Sequence, residues 1–61
     1  MAQVKKTEVR QALLDSAFRL FSRKGYMDTT LAQIAAEAGV STANVYVYFD
    51  SKLEMLFAIY D

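Results

Sequence analysis

Glycine occurs twice in this chain, at positions 25 and 39, and proline does not occur at all. Those two residue types are the strongest helix breakers, so their placement constrains the fold more than any other feature. Each glycine predicts a helix end, where the backbone turns left-handed. Before the first, Leu13, Leu14, Ala17, Leu20 and Phe21 recur at helical spacing with Phe18 beside them. Asp15, Ser16, Arg19, Ser22 and Arg23 fill the opposite face. The spacing predicts a helix over 7–24, begun by Thr7 and Glu8 and stopped by Arg23, Lys24 and Gly25.

Thr30-Leu31-Ala32-Gln33 fits a capping box, in which hydroxyl and amide each satisfy the other residue's backbone N–H. It predicts a second helix over 30–38, ended by Gly39. The next stretch, Val45 to Phe49, is β-branched and aromatic and has local strand character. Nothing else in the chain alternates, so a lone strand would leave its backbone groups unpaired. A short helix over 41–48, capped by Ser41, satisfies them locally. Ser51-Lys52-Leu53-Glu54 is a second capping box and predicts a helix over 51–61. Leu53, Leu56, Phe57 and Tyr60 give that helix an apolar stripe. The stripe runs to Asp61 with no stop signal, as expected of a fourth helix truncated at its C-terminal end. The fold class expected is all-α, a bundle of three to four helices.

Sixty-one residues make one small domain, which buries only about 60% of the surface of its unfolded chain. Without cysteine it has no disulfide to help, and without cysteine or histidine no zinc site is expected. No metal or other cofactor is anticipated. Scattered carboxylates and so little chain to enclose a pocket argue against an enzyme. No apolar run approaches the roughly 18 residues of a membrane span, and no signal-peptide pattern opens the chain, so a cytoplasmic protein is expected. Apolar and aromatic residues make up 54% of the chain, enough to leave apolar surface for a partner to cover. Net charge is zero, but residues 1–24 hold six cations against two carboxylates, while residues 25–61 hold only Lys52 against five. That asymmetry suits a basic N-terminal arm over 1–6, with Lys5, Lys6 and, further on, Arg10 as its cations, although an ordinary solvated helix face is the plainer account of the same charges.

The stretch from Thr30 to Phe49 carries the functional signal. Two helices crossing steeply through a tight turn account for each of its landmarks. Ala35 is small where the second helix crosses, and Gly39 supplies positive φ. Val40 plugs the angle, and Ile34, Ala38 and Val45 close the wedge. Ser41 caps the following helix, leaving Thr42, Ala43, Asn44 and Val47 facing outward. The pattern is that of a helix-turn-helix, with an αα-corner lacking any DNA role as the plainer alternative.

With Leu13-Leu14, Ala17, Leu20-Phe21, Gly25-Tyr26, Thr29-Thr30, Ile34-Ala35, Ala38-Gly39-Val40-Ser41, Val45-Tyr46, Tyr48-Phe49, Ser51-Lys52, Glu54 and Leu56, the chain resembles the N-terminal domain of the tetracycline-repressor (TetR/AcrR) regulators. The resemblance runs from Arg10 to Tyr60 and implies a homeodomain-like domain whose third helix enters the major groove of double-stranded DNA. It presents Thr42, Ala43, Asn44, Tyr46 and Val47 as base-reading candidates. Asn44 can bond adenine bidentately, Thr42 can bond several bases, and Ala43 and Val47 can touch thymine methyls. Thr30, Tyr46, Tyr48 and Lys52 are phosphate candidates, Lys52 in a first helical turn whose free N–H groups already favour an anion. The resemblance also implies a homodimer on an inverted repeat, held by a C-terminal domain that lies outside this chain and binds a small-molecule inducer.

Two departures weaken the expected grip. Ala32 stands where some members carry an arginine that reads a base, and no cation projects from the third helix, so guanine reading looks weak. Few phosphate contacts imply modest affinity and a shallow salt dependence, near −0.9 in log–log slope per phosphate neutralised. A helical protein–protein interaction module is the alternative that zero net charge and apolar excess would suit.

Overall fold

The computed structural model describes residues 6–60, with side chains from Glu8 onward. Most of the expected basic arm, 1–6, lies outside the described residues, as does Asp61. Among the described residues there are four helices and no strand: α1 (Lys6–Lys24), α2 (Leu31–Ala38), α3 (Thr42–Tyr48) and α4 (Lys52–Tyr60). Thr7 lies inside the first turn of α1 rather than ahead of it. No helix among these residues is long and apolar enough to cross a membrane.

Each helix contributes one completely buried large side chain to the core: Leu13, Ile34, Val45 and Met55. Around them pack Leu14, Ala17, Leu20, Phe21, Ala35 and Phe49. Burying a side chain of this size stabilises the fold by about 1.5–3 kcal/mol, and the nearly as buried Leu20, Phe21 and Phe49 contribute on the same scale. Ser16 corrects the expected polar face of α1. It is buried, because it stands three residues after Leu13 and four before Leu20 and so falls on the inward stripe. Its hydroxyl accepts a bond from Arg19 Nη2 at 3.3 Å. Phe18, beside that stripe, is half exposed.

The caps of α2 form as the residue pattern predicts. Thr30 Oγ1 accepts from Gln33 N–H at 3.1 Å, and Thr30 N–H donates to Gln33 Oε1 at 3.0 Å. At the other end Gly39 has φ 78°, and the N–H groups of Gly39 and Val40 bond back to the carbonyls of Ala36 and Ala35. This is the Schellman closure, which satisfies two orphan carbonyls in a conformation that L side chains adopt at a cost. A Cβ added at Gly39 would meet no atom within 4 Å, so only the backbone objects. Gly39→Ala is therefore expected to lose about 1–2 kcal/mol. A circular dichroism melt would show it as a fall of about 4–8 °C per kcal/mol for a domain of this size.

The β-prone segment 45–49 is indeed helical up to Tyr48. Ser41 caps α3 by accepting from Asn44 N–H at 3.2 Å, and Phe49 closes it by donating N–H to Val45 carbonyl at 2.9 Å. Helical hydrogen bonds and the burial of Val45 and Phe49 outweigh local propensity, which spans only about 1 kcal/mol.

The fourth helix departs from the expected stripe. Ser51 Oγ does accept from Glu54 N–H at 3.2 Å. The inward residue, however, is Met55, flanked by half-buried Leu56, Ala58 and Ile59. Leu53, Phe57 and Tyr60 face outward. With apolar residues on every side of α4, periodicity alone chooses no face.

Candidate nucleic-acid interface

The helix pair α2–α3 and the tight turn at Gly39 hold one short helix outward. In α3 only Val45 is buried, and Thr42, Ala43, Asn44, Tyr46 and Val47 are all exposed. Val47 is 71% exposed, which has no packing explanation and leaves an apolar residue available to a surface it can meet. Ser41 directs this arrangement: its cap starts the helix where Val45, one turn on, reaches the core. Charged groups are absent from α3 itself. Its outward face offers one amide, one threonine hydroxyl, one phenol and two apolar side chains.

The candidates for phosphate contact are placed differently from one another. Thr30 is exposed at the start of α2. Its oxygen accepts from Gln33 N–H, and a hydroxyl so engaged still has its own proton to donate. Tyr46 is exposed, whereas Tyr48 is half buried and packs against the core. Lys52 does not project outward. Its Nζ donates to the carbonyls of Tyr26 at 2.8 Å and Thr29 at 2.9 Å, and lies 4.3 Å from the centre of the Tyr26 ring. The Tyr26 ring in turn packs against Phe21, 5.3 Å between centroids. The physical reason is proximity: the first turn of α4 stands against the loop joining α1 and α2, whose carbonyls have no helical partners of their own.

Tyr26 and Thr29 thus belong to the site's framework although the residue pattern assigns them no role. Thr29 is completely buried, with its hydroxyl donating to Gly25 carbonyl at 2.9 Å. The one available signal is that Lys52 is the sole cation after residue 24 in a chain with an aromatic residue just past Gly25. Arg10, a cation of α1 just past the expected arm, stacks its guanidinium over Phe49 at 5.3 Å. Arg19 pairs with Glu37 at 3.5 Å, an exposed link between α1 and α2.

Residues 13–59 match the family model described as bacterial regulatory proteins, tetR family. The chain belongs to the tetR family. Relatives agree: the HTH-type transcriptional regulator SrpR of Pseudomonas putida is 46% identical over 52 residues, 85% of this chain and 24% of the relative. The HTH-type transcriptional regulator HbdR of Aromatoleum sp. (strain CIB) is 48% identical over 50 residues, 82% of this chain and 22% of the relative. A solved structure of the fatty acid degradation regulator FadR from Bacillus halodurans superposes with a TM-score of 0.86 at 28% identity, covering 92% of this chain and 30% of that one. The chain therefore spans about a quarter of the length of these tetR-family relatives. The all-α fold and the α2–α3 helix-turn-helix are those of the family.

Proposed function

We propose that this domain reads double-stranded DNA by laying α3 in the major groove, as half of a dimeric, ligand-responsive repressor on an inverted-repeat operator. Base reading falls to Thr42, Ala43, Asn44, Tyr46 and Val47. The observation that carries this is the single-sided burial of α3, with Val45 inward and a polar-apolar mixture outward. Phosphate contacts fall to Thr30, Tyr46, Tyr48 and the N-terminal turn of α4, where Lys52 stands. The exposed Leu53, Phe57 and Tyr60 support a further body that covers α4, and the greater length of the relatives supports it too. We assign to that body the homodimer contact and the inducer site. A cytoplasmic location and the absence of catalysis follow from this role.

Selection of duplexes from a random pool by the protein tests the role directly. Enrichment of an inverted repeat is expected. Recovery of random sequence at both low and moderate salt would overturn the assignment. Asn44→Ala is expected to weaken binding to the selected operator by about 1–3 kcal/mol per half-site and to relax the preference for adenine at one position. Titrations of operators with each base at that position measure it. A helical interaction module docking through α4 would leave the Asn44 variant unaffected.

A further inference from the structure

The Thr29–Thr30 peptide group is held at both ends. Its carbonyl accepts from Lys52 Nζ at 2.9 Å, and its N–H donates to Gln33 Oε1 at 3.0 Å. The same ammonium holds the Tyr26 carbonyl at 2.8 Å, which also takes Thr29 N–H at 3.3 Å. One lysine of α4 therefore closes the turn from Tyr26 to Thr29 and fixes the plane of the peptide that opens α2. The capping hydroxyl of Thr30 hangs from that peptide, and the free N–H groups of the first turn of α2 follow it.

We infer that Lys52 is a positioning residue for DNA binding: it orients the start of α2 toward a phosphate and does not neutralise that phosphate itself. This rests on the DNA-reading role proposed above. An ammonium has three protons, and two of those on Lys52 bond to carbonyls. Its remaining side lies over the Tyr26 ring, a favourable place for a cation. Reaching a phosphate would break two charge-assisted bonds and vacate a half-buried position. Holding the turn needs no such exchange. Hydrogen bonds weaken steeply with misalignment, so a released Thr29–Thr30 peptide would cost the α2 end its contact even in a folded protein.

The test compares the wild-type protein with Lys52→Met, which keeps the apolar stem and removes the ammonium. The probe is the duplex that the wild-type protein selects from random DNA. Affinity is titrated across a range of salt at a temperature where circular dichroism shows both proteins folded. Affinity is expected to fall about tenfold, the worth of a hydrogen bond to a charged group, with the salt slope unchanged. A slope shallower by about 0.9 per domain would mean that Lys52 neutralises a phosphate directly, and would overturn the inference. Unchanged affinity in a folded variant would overturn it too, leaving Lys52 a merely structural residue. Should Lys52→Met not fold, Gln33→Ala releases the other end of the same peptide. The same tenfold loss at constant slope is expected, and unchanged affinity counts against the inference. If the wild-type protein selects no sequence at all, the DNA-reading role fails first, and separately.

Discussion

Ile34→Ala is expected to bring the domain close to its unfolding midpoint at 25 °C. Ile34 is completely buried and shares the core centre with Leu13, Val45 and Met55. Truncating such a residue costs about 2–5 kcal/mol, the lost transfer energy plus the cavity left behind. A domain of this length has roughly 3–9 kcal/mol in all, at 0.05–0.15 kcal/mol per residue. The loss is thus comparable with the whole. Ile34 also sits in α2 between the capping box and the Schellman turn, so its cavity loosens the helix that carries α3. Urea titration monitored at the helical signal measures the effect, with Met27→Ala as control. Met27 is 83% exposed, and truncating it is expected to stay within about 0.5 kcal/mol of the wild type. An Ile34 variant as stable as that control would contradict the assignment of the core.

Val47→Glu should do the reverse, leaving stability alone and removing DNA binding. Val47 is exposed on a helix whose only buried residue is Val45. A surface substitution there changes stability by about 0.5 kcal/mol or less. Placed in the major groove, a carboxylate faces two lines of phosphates, and like-charge juxtaposition costs several kcal/mol. Operator affinity is expected to fall at least about a hundredfold, since each 1.4 kcal/mol is a factor of ten. Val47→Ala, which removes two methyl groups and no charge, is expected to cost far less. Paired thermal melts and operator titrations separate the two effects. A Val47→Glu protein that still binds would place the DNA contact somewhere other than α3.

The parts of this fold that were legible in the chain are those settled within a few residues. Thr30 with Gln33, Gly39, Ser41 and Ser51 each act on a backbone group no more than four positions away, so short-range chemistry suffices to predict them. Ile34, Ala35 and Val45 follow from the tight turn that Gly39 makes between α2 and α3. Less was legible where the outcome depends on distant packing. Met55 is buried and Phe57 exposed because α4 meets α1 on one side, which no local pattern in an all-round apolar helix encodes. Ser16 was misassigned because its hydroxyl reads as polar while its position on α1 is inward. Lys52 is the sharpest case. Its partners are 23 and 26 residues earlier in the chain, and its flexible stem makes inward and outward placement equally compatible with the sequence.

The division of labour within α3 bears on how such a domain diverges. Of its seven residues only Val45 is buried, with Tyr48 packed at the edge of the core and Phe49 just beyond. Exchanges at 42, 43, 46 and 47 therefore meet almost no folding constraint. Recognition can drift one position at a time, each intermediate remaining a folded protein. Descendants of one scaffold can part company over the sequences they address while their interiors stay nearly the same.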